Sequence, residues 1–188
     1  YAVGVHPSEI EKTEIEDYQK INELALNEKC LAIGEIGLDY HFEPFDKNKQ
    51  IESFIRQIEM ANSLDLPVCV HCRDATKDTL DILTSHKTKR GGVMHCYSGS
   101  VETAKVLIDL GFYLGFGGTV TFKNAKIVKE VAIYCPSDRI LTETDSPYLA
   151  PDGFRGQTNT PKHIPQICNY IASIKNLDRD GFALTVKE

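Results

Sequence analysis

The sequence predicts an α/β fold carried by parallel strands. Three observations predict it: six short apolar runs recur along the 188 residues, helix-period segments lie between them, and no linker or low-complexity tract breaks the alternation. Strand, helix, strand, repeated without interruption, is the pattern of parallel pairing through helical crossovers. We therefore expect a single domain over residues 1–188.

The strand candidates are, in order, YAVGV (1–5), CLAIGEIGL (30–38), PVCVH (67–71), GVMHC (92–96), FYLGFGG (112–118) and RILTETD (139–145). The clearest helix covers 50–64, where Ile51, Phe54, Ile55, Ile58, Ala61 and Leu64 recur at spacings of three and four and form one apolar face. Ser100 is placed to cap a helix through VETAKVLIDLG, and Gly111 to end it. A last helix over 163–175 carries Ile164, Ile167, Cys168, Ile171 and Ile174, with Thr160 as N-cap and Pro161 in the first turn.

Closing such a sheet into a TIM-type (β/α)8 barrel takes eight strands and about 250 residues. Two further strand–helix units of about 30 residues each would make up much of the difference, and the chain begins with Tyr1 already inside its first strand. The reading that satisfies both is a TIM-type barrel of which this chain carries about six of the eight strands, incomplete at the N-terminus and with the C-terminus open to the same reading. An open doubly wound sheet is the competing architecture. It lacks the glycine-rich phosphate loop that would follow its first strand.

Composition sets the broad class. A hydrophobic fraction of 41% and a charged fraction of 26% are those of an ordinary globular protein. No apolar run reaches the 18 residues of a membrane span. The expected setting is the cytoplasm, with the nucleus also open. A net charge of −6 argues against a broad basic surface. It leaves nucleic acid open as a partner, because bound cations supply positive charge locally. Cys30, Cys69, Cys72, Cys96, Cys135 and Cys168 read as buried, reduced thiols, several of them inside apolar runs. Cys69-Val70-His71-Cys72 imitates a metal or redox motif, but residues three apart on a strand face opposite sides.

Each strand candidate with chemistry to offer ends on a polar group. His6 follows AVGV, Glu35 interrupts AIGEIGL, His71 follows PVCV, His95 follows GGVM and Asp145 follows ILTET. Taken singly, each has an ordinary reading: a hydrogen-bonded histidine, half of an ion pair, a turn aspartate. Five of them at successive or near-successive strand ends read instead as ligands gathered on the rim where barrel enzymes keep their active sites. Imidazoles and carboxylates suit Zn²⁺, Mn²⁺ or a similar ion. Gly34 and Gly37 would let a ligand approach the backbone beside Glu35. Glu143, two residues before Asp145, shares its strand face and is placed to orient a ligand or a water. His41, His86 and His163 read as surface residues.

The motifs GVHP (4–7), GEIGLDY (34–40), VHCRD (70–74), HCYSG (95–99), LGFGG (114–118), ETDSPYLAP (143–151) and RGQTNTP (155–161) stand in an order that resembles the TatD-like metal-dependent deoxyribonucleases, within the amidohydrolase-type barrels. The resemblance spans nearly the whole chain. It implies a TIM-type barrel holding two divalent ions (Mg, Mn or Zn). Glu35 matches the bridging glutamate, His71 and His95 the histidines on one ion, and Asp145 the aspartate on the other. The family's His-x-His pair has no counterpart here, so the chain resembles a member lacking its first two strands.

The implied reaction is hydrolysis of DNA phosphodiester bonds by an ion-activated water, exonuclease-like in character. Asp145 and Glu35 would serve it as catalytic carboxylates. His6 would bind the scissile phosphate or support the metal shell, and Arg73 and Arg155 are placed to donate to phosphate oxygens. DNA is then the expected partner, with a monomer favoured and no membrane involved. Two alternatives remain: a metal-dependent deacylase of aminoacyl-tRNA or another amidohydrolase-type hydrolase, and an inactive truncated fragment. The absence of a lysine at a strand end, where a carboxylated lysine could bridge two ions, favours the DNase branch.

Overall fold

The computed structural model describes residues 1–41 and 43–186. They fall into two compact units, the first made of Tyr1–His95 with Asp109–Phe112, the second of Cys96–Ile108 with Tyr113 onward.

In the first unit β1 (Ala2–Val3), β2 (Ala32–Asp39), β3 (Val68–Arg73) and β4 (Gly92–Met94) pair in chain order, every pair parallel. Between them run α1 (Ile15–Ala25), α2 (Lys47–Ser63) and α3 (Thr76–Ser85). The strands are apolar because both faces of a parallel sheet are covered. Ile33, Ile36, Leu38 and Val70 are fully buried, together with Phe54, Ile58 and Ala61 of α2. Asp46 caps α2 by accepting the Asn48 and Lys49 amides.

The buried face of α2 differs from the expected one in an instructive way. Phe54, Ile58 and Ala61 are inside as predicted, but Gln50, Ser53 and Gln57 join them while Ile51, Ile55 and Leu64 are only half-buried. The glutamines are buried because each amide pairs with both backbone groups of one residue. Gln57 accepts the Val5 N–H at 2.7 Å and donates to its carbonyl at 3.2 Å. Gln50 does the same for Asp39, at 2.8 Å each way. A carboxamide reproduces the donor–acceptor pair of a neighbouring strand, so backbone leaving the sheet stays satisfied.

In the second unit β5 (Phe112–Phe116) pairs parallel with β6 (Ile140–Thr142) through Leu114–Phe116. The helices here are α4 (Val101–Asp109), α5 (Lys126–Tyr134), α6 (Ile164–Ile174) and α7 (Arg179–Thr185). Ser100 caps α4 as predicted, its Oγ accepting the Thr103 amide at 3.3 Å. Gly111 takes the left-handed φ of 87° that the turn after α4 requires. The expected Thr160–Pro161 start is displaced. Pro161–His163 forms one 3-10 turn, Thr160 makes no side-chain cap bond, and α6 proper begins at Ile164. Ile167, Cys168, Ile171 and Ala172 bury its inner face.

Lys175, just past α6, donates to the carbonyls of Ala132, Ile133 and Cys135 at 3.0, 3.0 and 2.7 Å. The ammonium thereby closes the C-terminus of α5, where orphan carbonyls and the helix dipole both favour a cation. No helix among the described residues is long and apolar enough to cross a membrane.

Candidate metal centre

The centre begins with an irregularity in β2. Ile33 is in register with Val68 and Ile36 with Val70, so three steps on β2 match two on β3. The surplus lies at Gly34–Glu35. A bulge of this kind re-aims a side chain, and here it presents Glu35 to a ring of imidazoles. The flanking glycines have a different cause from the expected one. A Cβ on Gly37, whose φ is 134°, would lie 2.0 Å from the His71 carbonyl oxygen, and one on Gly34 would lie 2.5 Å from the Cys69 Cβ. It is the neighbouring strand β3, rather than a ligand, that approaches.

One carboxylate oxygen gathers the histidines. His71 Nδ1 lies 3.0 Å from Glu35 Oε1, and the Nε2 atoms of His6 and His95 each lie 3.9 Å from it. The His6 and His71 rings meet edge-on with centroids 4.6 Å apart. Ligand atoms of His6, Glu35 and His71 all fall within 4.8 Å of one another. His6 follows β1, His71 lies in β3 and His95 follows β4, whose end is tied by the His95 amide to the Val70 carbonyl. The expected rim of strand ends is therefore looser in detail. Glu35 sits in the middle of its strand and His71 two residues before the end of its own.

Asp39 is a member of the site that sequence reasoning passed over. Its Oδ2 faces His71 Nε2 at 3.0 Å, and its Oδ1 accepts the His41 amide at 2.9 Å. The side chain is 8% exposed. A buried carboxylate on Nε2 fixes the proton there and leaves the Nδ1 lone pair directed at Glu35, the arrangement that metal-ligating histidines use. Nδ1 and Glu35 Oε1 are then two acceptors 3.0 Å apart. A cation between them reconciles the pair, since ligand atoms around a small divalent ion stand about 3 Å apart. The donor set of imidazoles and a carboxylate fits such an ion.

His6 is arranged differently. Its Nδ1 accepts the Ser8 amide at 3.2 Å and meets the Ser8 hydroxyl at 2.8 Å. The neutral ring therefore carries its proton on Nε2 and presents a donor to the centre. Burial, with the His71 ring beside it, lowers the His6 pKa below the ordinary value. Burial pushes the Glu35 carboxyl up, but the neighbouring imidazoles of His71, His95 and His6 outweigh it, and the net shift is downward. Glu35 is thus an anion at neutral pH and His6 a neutral donor.

The other predicted residues are each held in their own unit. Arg73 ends β3, exposed, its carbonyl accepting the Tyr40 amide. In the second unit the Glu143 carboxylate accepts the amide of Cys96, the residue after His95, and packs where a Cβ on Gly115 would collide with it. Asp145 has the left-handed φ of 58° and Leu149 one of 53°. The turn between them is clamped by Asn159, which is 2% exposed. Its amide donates to the Thr144 carbonyl at 2.6 Å and the Tyr148 carbonyl at 2.7 Å. Its Oδ1 meets the Thr160 amide at 2.9 Å and His163 Nδ1 at 2.7 Å. His163, expected on the surface, is half-buried by this bond and by the Phe154 ring. Arg155 is exposed and lies over the Phe122 ring, its Cζ 4.4 Å from the centroid.

Comparison with known proteins gives the family. The TatD related DNase family model matches residues 1–188. The uncharacterized metal-dependent hydrolase YabD of Bacillus subtilis is 45% identical over 189 residues, covering 100% of this chain and 74% of its own. The uncharacterized metal-dependent hydrolase YcfH of Escherichia coli is 46% identical over 178 residues, covering 94% of this chain and 66% of its own. Against YcfH the chain thus spans just under two-thirds of the relative. Among solved structures, YJJV, a TatD homolog from Escherichia coli, superposes with a TM-score of 0.93 at 31% identity, covering 99% of this chain and 73% of that one. An α/β chain that keeps this fold, at these identities, belongs to the TatD-related DNase family of metal-dependent hydrolases.

Proposed function

We propose that the protein hydrolyses phosphodiester bonds of DNA, in the manner of an exonuclease, using two divalent ions. The observation that carries this reading is the convergence of His6, His71 and His95 on one oxygen of Glu35, on a chain whose family model is that of TatD related DNases. Glu35, His71 and His95 are the residues that would hold the ions. When bound, the ions supply Lewis-acid charge to a phosphoryl oxygen and acidify a water toward neutral pH.

The chain's own groups do the rest. Asp39 holds His71 in the tautomer that offers Nδ1. His6 donates its Nε2–H to a phosphate oxygen, and lacking a charge of its own it leaves the ions as the source of positive potential. Asp145 is proposed as ligand to the second ion and as acceptor of the proton lost by the attacking water. Its turn, held in two left-handed conformations, is set for one geometry rather than several. Glu143 positions the backbone that follows His95. Arg73 and Arg155 donate to phosphates along the strand.

The test is cleavage of end-labelled single-stranded DNA with Mn²⁺, Mg²⁺ or Zn²⁺, with and without chelator, on this chain and on a version extended by its upstream coding sequence. Ion-dependent loss of terminal nucleotides supports the reading. A folded, ion-loaded protein that leaves DNA intact and releases amino acid from aminoacyl-tRNA overturns it.

A further inference from the structure

The turn that carries Asp145 also walls a hollow of about 340 Å³, lined by Phe122, Pro147, Tyr148, Leu149, Arg155 and Gln157 among others. Every one of these residues belongs to the second unit. Tyr148 is 69% exposed, an unusual place for a ring that could have been covered. Its backbone is nonetheless firmly held. The Tyr148 amide donates to the Asp145 carbonyl at 2.8 Å, and its own carbonyl accepts from Asn159 at 2.7 Å. The Gln157 backbone is held by its N–H, which donates to the Phe154 carbonyl. Arg155 Cζ already stands over the Phe122 ring, 4.4 Å from its centroid, so a ring contact holds the guanidinium before anything binds. The described lining includes an arginine and a carboxamide but no carboxylate, against a net charge of −6 for the whole chain.

An exposed ring on a rigid turn, a pre-stacked guanidinium and a carboxamide are the parts that single-stranded nucleic acid sites use: a face for the base, an edge reader, and a donor for phosphate. We propose that this hollow seats one nucleobase of the strand, next to the phosphodiester handled at Asp145. The base stacks on Tyr148, Gln157 meets its polar edge, and Arg155 donates to the adjoining phosphate. The inference rests on the DNA-hydrolysing reading and names the part of the strand that the second unit holds.

The chain contains no tryptophan, so Tyr148→Trp installs a single indole at the proposed contact. Its fluorescence is titrated, in EDTA so that nothing is cut, with a short single-stranded oligodeoxynucleotide and with the same backbone carrying abasic positions. We expect quenching by the base-bearing strand at concentrations roughly 5- to 150-fold below those needed by the abasic one, the range for one base stacked on an aromatic ring. In parallel, anisotropy of a labelled oligonucleotide compares the unsubstituted chain with Tyr148→Ala, which should lose affinity by a similar factor while keeping its circular dichroism. Equal binding of the two strands, or an unchanged Tyr148→Ala, overturns the base site. If base-dependent binding is found while DNA is never cut, the hollow stands and the hydrolytic reading falls. If DNA is cut without base-dependent binding, the reverse holds.

Discussion

Asn159→Ala should be strongly destabilising although it removes no apolar contact. Asn159 is buried and uses its whole carboxamide, with two N–H groups on the Thr144 and Tyr148 carbonyls and one oxygen shared by the Thr160 amide and His163. Alanine strands all four partners. At about 1 kcal/mol for each bond lost, and somewhat less where a carbonyl regains water, the loss is about 2–4 kcal/mol. For a chain of 188 residues that lowers Tm by about 4–16 °C. The same change releases the turn whose left-handed Asp145 and Leu149 are conformations that side chains ordinarily avoid. On the role proposed for Asp145, a misplacement near 1 Å should lower kcat on single-stranded DNA roughly 10- to 100-fold. Differential scanning fluorimetry and single-turnover cleavage read the two effects. A Tm within about 1 °C of the unsubstituted chain, outside the range this arithmetic allows, together with an unchanged kcat, would refute the clamp.

Three further outcomes are expected. His71→Ala should abolish high-affinity binding of Mn²⁺ or Zn²⁺ in isothermal titration, whereas His6→Ala should leave it nearly intact and lower kcat, because His6 presents a donor where His71 presents a lone pair; equal losses of binding would reverse that assignment. Asp39→Asn, which keeps the shape but not the charge on His71 Nε2, should weaken ion binding roughly 10- to 100-fold, and an unchanged titration would remove Asp39 from the site. Burial pushes the Cys135 thiol up to about 11 from its ordinary 9.0. The native thiol should therefore resist iodoacetamide at pH 8 and react once unfolded. Because a raised pKa favours the neutral form in the folded state, stability should fall as pH climbs from 9.0 toward about 11; fast alkylation of the native chain would contradict the burial.

The strands were legible because parallel, doubly covered strands write themselves as continuous apolar runs, and all six runs hold a strand. Helix α2 was legible as a helix but not in its inner face. Periodicity assigns burial by hydrophobicity, and Gln50 and Gln57 are buried for hydrogen bonds to the backbone of Asp39 and Val5, 11 and 52 positions away. Asn159 was hidden for the same reason. In its motif, RGQTNTP, the arginine carries the evident chemistry, while the residue that holds the turn is the one whose partners lie 11 and 15 positions away at Tyr148 and Thr144. A polar residue's use depends on what the fold brings to it, and that is non-local information.

Glu35 shows the boundary from the other side, since the sequence contains its explanation in a form that is easy to overlook. In an unbroken strand Ile33, Glu35 and Gly37 would share one face and Ile36 and Leu38 the other. The structure instead aligns Ile33 with Val68 and Ile36 with Val70, and all four side chains are at most 1% exposed. The apolar spacing of three and then two, at Ile33, Ile36 and Leu38, is the mark of one extra residue. Had alternation continued, Glu35 would have followed Ile33 into the apolar side, where an unpaired carboxylate is costly. The bulge gives that place to Ile36 and turns the carboxylate toward His71. Gly34 and Gly37 then have to be glycine, because the kinked strand presses against the Cys69 Cβ and the His71 carbonyl of β3. A glutamate between two glycines inside an apolar run is therefore one device with three parts. The extra residue turns the acid, and the two glycines let β3 carry His71 close enough to meet it.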